Sequence, residues 1–421
     1  MAFYCLPVNR NMLARGTTTP QGEQTYFGRA YLYDGRGAIP FVFDDVVART
    51  IIIDTALNEN PGMEEWSAGV PTGYVCNNVS QQAGKNGSWS VGLGNGFANP
   101  GSVAFIVTVR PSEAIQVHAW IKGSLNSGNC SADIKIRNLQ TGNYLNSINA
   151  WQDASTAALA FAATTTWTEY QSANVVVEDF DACQTEECQL LVTVQHTGNA
   201  GRIDVDDLWV TLAQPNLCMI HGHAFTPEYQ ITLESSLDGT TYQAATTLSP
   251  RRGPFYSYGW TPYSGHSEAR YYRLTFPARY TNSTFGVNPT PWHMGELVLG
   301  RAFQVQAPRW GAEVGHMRLQ SRAASRAGST SAQDVTGQDQ RSLKLRQTFK
   351  ALDDWRDFRD FAFRSTSAGA DQAVWLWDTT DADAVMLGRM DSSWSTTRTF
   401  TTVNEGDLTI VEDASPIRST L

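Results

Sequence analysis

Paired carboxylates are the first residues in this chain that could do chemistry: Glu64-Glu65, Asp206-Asp207 and Asp353-Asp354. Glycoside hydrolysis needs two carboxyl groups roughly 5 to 10 Å apart. Adjacent strand residues point to opposite faces, and Asp353-Asp354 stands beside Arg356 in a stretch with helical spacing, so no pair is set for that work. No Gly-x-Ser-x-Gly elbow, phosphate loop or nucleophile with an evident base occurs, and the chain reads as non-catalytic. Among the 7 histidines, His221-Gly222-His223 is the close pair. Residues i and i+2 of a strand share a face and could hold a metal, but with no acidic or Cys ligand nearby in sequence they read as polar residues at a strand start. The 6 cysteines are Cys5, Cys76, Cys130, Cys183, Cys188 and Cys218. Cys183 and Cys188 bracket an acidic loop, where either a disulfide or a pair of reduced thiols is open.

The elements that must position such residues are strands. Only 17% of the 421 residues are charged, and aromatic residues make up 11%, a turn-rich β composition with material for two or three cores. A formal charge of −10 gives no electrostatic help toward nucleic acid or anionic lipid, so neither is expected as a partner. No run of eighteen apolar residues occurs, and the first ten residues lack a charged segment followed by an apolar one, so synthesis in the cytosol is expected. Residues 1–19 read as an extended arm that orders on a neighbour. Ile51-Ile52-Ile53-Asp54 is a buried strand, and Ile231-Thr232-Leu233-Glu234, an Asp238-Gly239 turn, Tyr271 to Phe276 and Gly295 to Gly300 follow much later. Neither group has enough strands to bury a sheet alone. The two groups are therefore expected to pair around the intervening segment, which is cheap if that segment folds with its ends together.

Tyr33-Asp34-Gly35-Arg36, Ile220-His221-Gly222-His223, Ser235 to Gly239 and Tyr271-Tyr272-Arg273-Leu274 resemble, in that order, the motifs of discoidin-like jelly rolls. The intervening segment opens with Asn58-Glu59-Asn60-Pro61-Gly62-Met63-Glu64-Glu65-Trp66. It carries the alternating strand Ile115 to Gly123 and closes with Arg202-Ile203-Asp204-Val205-Asp206-Asp207-Leu208-Trp209-Val210. This succession resembles carbohydrate-binding modules of the CBM4/9/22 type. From Ala302 onward the style changes to an Arg-, Ser- and Gly-rich segment, then Leu345, Phe349, Leu352, Trp355 and Phe358 at helical spacing, then a strand ending Trp375-Leu376-Trp377-Asp378. That order is similar to distal-tail or baseplate proteins of tailed bacteriophages.

The expected fold is thus mainly β: a split discoidin-like jelly-roll sandwich (20–57 and 212–301), an inserted carbohydrate-binding-module-like jelly roll (58–211), and a C-terminal α+β assembly domain (302–421) with an extended arm at 309–340. The resemblances imply a virion protein assembled in the host cytoplasm. It would form a homo-oligomeric ring with other tail proteins and display modules toward host-surface polysaccharide. A purely structural decoration or collar protein and a secreted glycan-binding protein are the alternatives. Sugar sites stack rings on exposed aromatics, and the candidates are Trp151, Trp89, Tyr144 and Tyr170, with Trp120 read as core. No cofactor is expected beyond a structural calcium, which the resemblance implies at Asn58, Glu59 and Asp206, against a plain hydrogen-bonded strand end. Arg251, Phe255, Tyr256, Tyr258 and Trp260 form an aromatic loop that is either a subunit contact or a core cover, and Arg309, Arg322 and Arg326 would reach a neighbouring subunit.

Overall fold

A computed structural model describes residues 3–7, 10–23, 29, 33, 41–94, 100–125, 130–162, 164–172, 174–198, 201–212, 215–221, 230–248, 259–262, 269–278, 293–305, 312–324, 330–349, 372–376, 385–390, 395–400 and 403–412. The chain is mainly β, and among the described residues the α-helices are two single turns, Met12–Arg15 and Phe180–Cys183. It divides into two compact units, Ala56–Ala213 and the remainder, Met1–Thr55 with Gln214–Leu421.

Ala56–Ala213 is a jelly-roll sandwich of two antiparallel sheets. The first runs in the order Trp151–Gln152, Tyr144–Leu145, Ser131–Asn138, Cys188–His196, Ser102–Val109, Val75–Asn77, with Leu159–Ala162 also on Ser131–Asn138. The second runs Thr168–Gln171, Ala114–Gly123, Ile203–Leu212, Trp89–Leu93, Val79–Ala83, with Val175–Val176 also on Ala114–Gly123. Successive long strands switch sheets, the jelly-roll habit. Strict alternation explains the packing: Val103, Phe105, Val107 and Val109 of one sheet are buried, as are Ile115, Val117, Ala119 and Ile121 of the other. The unit's ends meet, since Ala56 bridges Thr211 and the Leu57 N–H donates to the Val210 carbonyl at 2.8 Å.

In the other unit, one sheet draws strands from both sides of the 56–213 segment. Arg49–Asp54 lies between Thr17–Pro20 and Tyr271–Phe276, which continues to Ile231–Ser236 and Gln243–Leu248. Ile53 opposes Tyr272 and Ile51 opposes Leu274, so residues more than two hundred positions apart in sequence share one ladder. Arg270 fixes the junction by a bidentate pair to Asp54 at 2.8 and 2.7 Å, while its carbonyl accepts from the Thr55 N–H and hydroxyl. Leu217–His221 lies between Gly259–Pro262 and Glu296–Gly300 in a three-stranded sheet.

Several sequence expectations are corrected here. Residues 1–19 are no arm: Phe3–Pro7 is a strand between Phe303–Val305 and Ala373–Leu376, with Cys5 and Leu6 fully buried. Asn11 caps the following helix and bonds both Leu297 and Leu299. The strand's cover lies some three hundred residues away, which local polarity could not reveal. The helix expected through Leu345 and Phe349 is replaced by the strand Thr330–Phe349, paired with Val403–Glu412. Leu343 opposes Ile410 with both buried, so a distant strand partner overrides the helical spacing. Leu352, Trp355 and Phe358, the Asp34-Gly35-Arg36 turn, His223 and Trp377-Asp378 lie outside the described residues. The arm expected at 309–340 is, where described, a paired hairpin of Ala312–Ala324 with Thr330–Phe349. No separate core begins at 302, because Leu6, Leu217, Met219 and Val298 pack in one cluster with Val374, Leu376, Val385 and Leu387. A C-terminal α+β domain is therefore not supported.

Candidate functional site

One strand organises the strongest site in the inserted unit. While Ile115, Val117, Ala119 and Ile121 face the core, the alternate residues Gln116, His118, Trp120 and Lys122 face outward. Trp120 is half-buried on this outer face rather than in the core. The neighbouring strand would normally present alternate residues throughout, but its register against Ala114–Gly123 shifts: His118 opposes Trp209, and Trp120 opposes Asp206. One extra residue is accommodated at Asp207, whose φ of 47° is left-handed. This bulge lets Leu208, Val210, Ile203 and Val205 stay buried on the inner side. Asp204, Asp206, Trp209 and Thr211 then line up with Trp120 on the outer side.

The side chains there are held tightly. The His118 ring stacks on Trp209 at 4.1 Å and 7°, its Nε2 lies 2.6 Å from Glu169 Oε1, and its Nδ1 lies 3.3 Å from the Asp207 carbonyl oxygen. Glu169, opposite Trp120 on the adjoining strand, has its carboxyl held below the usual carboxylate range by the His118 hydrogen bond. The Lys85 ammonium sits over the Trp120 ring at 3.7 Å. Lys85 belongs to the hairpin Lys85 to Ser88, which two acids hold in place. Asp206 Oδ2 accepts from the Lys85 and Asn86 N–H groups at 2.7 and 3.1 Å, and Glu64 accepts from Ser88 and Trp89. Gly87 is required in that turn, since a Cβ there would meet Glu64 Oε1 at 2.1 Å and its φ is +74°. Farther along the face, Arg202 and Lys122 both reach the buried Asp204, at 2.6 and 3.5 Å.

Burial, reinforced by the Asp207 charge, pushes Asp206 up to about 7 despite three backbone N–H donors. Its folded value therefore lies above the unfolded one of about 3.9, and the protonated form is the one the fold favours. The stability this contributes is present below the unfolded value and is lost as pH rises toward and through 7. Thermal melts should show the wild type losing stability relative to Asp206→Asn between about pH 5 and pH 8. Parallel curves for the two proteins would contradict this.

The sequence candidates distribute unevenly. Trp151 is half-buried at the sandwich edge and spans the two sheets, its indole N–H donating to the Val176 carbonyl at 2.9 Å. Tyr170 stacks on Phe161 at 4.2 Å, and burial raises its phenol. Trp89 is 42% exposed beside the Glu64-held hairpin. Tyr144 lies on the outer face of the other sheet under Arg137. These four do not converge on one surface.

The expected calcium ligands do not assemble either. The Asn58 amide donates to Leu208 and Tyr74 while its Oδ1 accepts from Val210 N–H, Glu59 packs beside Gly73, and Asp206 is tied to the hairpin. Among the described residues no group of three or more His, Cys, Asp or Glu side chains could hold a metal. Asn58 and Asp206 already spend their oxygens on N–H donors, so this set does not fit a calcium shell of six to eight oxygens. All six cysteines are free thiols. Burial and the adjacent Cys183 hold the Cys188 thiol far above its usual range.

Arg251, Phe255, Tyr256, Tyr258, Arg309 and Arg326 lie outside the described residues. Trp260 sits on a strand opposite Met219, and Arg322 opposes Ala332 in the hairpin. The residues missed from sequence are Trp120, His118, Glu169, Lys85 and Lys122. The alternation of polar and apolar residues from Ile115 to Lys122 was the signal for three of them.

No protein-family model matches the sequence, and no curated protein matches it. Similar solved structures include a family 61 carbohydrate-binding module, TmCBM61, in complex with β-1,4-galactotriose. It is 16% identical, covering 37% of this chain and 98% of that one, with a TM-score of 0.26. The CBM22-1 xylan-binding domain of Paenibacillus barcinonensis Xyn10C is 15% identical, covering 36% and 90%, with a TM-score of 0.27. The enzymatically active domain of tailspike protein 4 from bacteriophage CBA120 is 11% identical, covering 36% and 22%, with a TM-score of 0.25.

Proposed function

We propose that the inserted sandwich binds a glycan on the outer face that carries Trp120, and that the chain is a non-catalytic structural protein displaying this module. The observation that carries the reading is the composition of that face. A half-buried indole is set between Glu169 on one neighbouring strand and Asp206 on the other, with Lys85 over its ring, on a rigid sheet. Sugars present apolar ring faces and a fringe of hydroxyls, which an aromatic platform flanked by fixed donors and acceptors matches. A non-catalytic role agrees with the carboxylates. Asp204 and Asp206 are buried and engaged by donors, and Glu169 is committed to His118.

The proposed setting is a tailed-phage virion, assembled in the host cytoplasm, with the remaining unit mediating ring assembly and host-surface polysaccharide as the ligand. The long hairpin Ala312–Ala324 with Thr330–Phe349 supports this setting. A ring would present many copies, so a weak single site would gain strength through multivalency. Screening the purified chain against a glycan panel should give saturable binding without hydrolysis. Release of reducing ends would overturn the non-catalytic part, and silence across the panel would overturn the binding part.

A further inference from the structure

We infer that the glycan taken by the Trp120 face is an anionic one, bearing carboxylate or sulfate groups; this rests on that face being the binding surface proposed above. The inserted unit is acidic, with 6 Lys and Arg against 15 Asp and Glu between residues 56 and 213. Three of those few cations nevertheless gather on this one face. Lys85 holds its ammonium 3.7 Å from the Trp120 ring centre, where a sugar ring would otherwise lie, and its other polar contact is a weak 3.4 Å bond to Asn86 Oδ1. A neutral sugar must displace that ammonium, whereas an anionic one can pair with it.

Two residues along the same strand, about 7 Å away at strand spacing, stands Lys122. It leans over the Trp167 ring at 4.6 Å and shares Asp204 with Arg202. One carboxylate thus serves two cations, and the geometry is asymmetric: Asp204 is 1% exposed, while Lys122 and Arg202 are 27% and 35% exposed. The negative charge lies beneath the surface and the positive charge on it. The nearby acids cancel it only in part: Asp206 is fully buried, and Glu169, 34% exposed, is bonded to His118 while its carboxyl also feels the Lys85 ammonium. Aromatic rings interleaved with under-neutralised cations in one row suit an acidic saccharide, whose charged groups form the stronger, charge-assisted hydrogen bonds.

Equilibrium binding of the full chain to oligogalacturonate, its methyl ester, a heparin oligosaccharide, and neutral galactan and xylan oligosaccharides tests this. The acidic probe that matches, carboxylate or sulfate, should bind about tenfold or more tightly than the ester and the neutral probes, the margin that charge-assisted over neutral hydrogen bonds provides. Lys85→Gln and Arg202→Gln should each weaken that binding about three- to tenfold. Lys85→Gln breaks no ion pair, so it keeps the test open if Arg202→Gln misfolds. Neutral probes binding as well as acidic ones would overturn the inference and leave the proposed function standing. No binding by any probe would overturn both.

Discussion

Replacing Trp375 by alanine should remove about 3 to 5 kcal/mol from the unit formed by the chain's two ends, the range for deleting a fully buried Trp or Phe side chain. Trp375 is 0% exposed and is the largest fully buried side chain among the described residues. Its strand, Ala373–Leu376, lies between Phe3–Pro7 and Val385–Met390, so the cavity would open between elements drawn from both ends of the sequence. The change also removes the indole N–H that donates to the Gly388 carbonyl at 3.2 Å. A domain is stable by about 5 to 15 kcal/mol, so this one change consumes about a fifth of the margin or more. Urea unfolding followed by hydrogen exchange should show the strands around residues 3–7, 373–376 and 385–390 opening early while the 56–213 sandwich keeps its protection. A shift below about 1 kcal/mol would mean that the cavity is refilled or that Trp375 is not core.

The second large effect concerns binding. Trp120→Ala should weaken glycan affinity about 10- to 100-fold, since a central aromatic anchor in an interface is worth about 2 kcal/mol or more. The fold should survive, because the residue is half-buried on an outer face and the core residues Ala119 and Ile121 are untouched. Tyr144→Ala, on the opposite sheet, should leave affinity unchanged. Isothermal titration of the two variants distinguishes the faces: equal losses, or a loss confined to Tyr144→Ala, would move the site.

How much of this was legible in the sequence follows from which interactions are local. Alternation along Ile115 to Gly123 makes this strand readable, and the Arg202 to Val210 stretch is readable by its resemblance to the last strand of carbohydrate-binding modules. The same alternation placed Trp120 with Gln116, His118 and Lys122, yet a large aromatic in a hydrophobic strand was read as core. Size outweighed phase there, and phase was the better guide. The Asp207 bulge was not legible. Nothing in Asp206-Asp207 announces a left-handed residue, and without the bulge Asp206 and Trp209 could not share a face.

Trp151, half-buried like Trp120, makes a contact that its local sequence does not reveal. Its indole finds a carbonyl on the other sheet, a partner 25 residues away that only the closed sandwich supplies. At the termini, Leu343 and Ile410, and Leu6 with Val374, show burial created by pairing across dozens to hundreds of residues. Helical spacing at Leu345 and Phe349 was a coincidence of a strand's apolar residues, and only the partner strand decides between the two.

Crystals of the full chain soaked with the tightest-binding oligosaccharide test the central claim most directly. The account predicts sugar density against Trp120, between Glu169 and the Lys85 hairpin and running toward Lys122 and Arg202. Sugar seated instead on the Tyr144 and Arg137 face of the other sheet, or at the sandwich edge by Trp151, would contradict it.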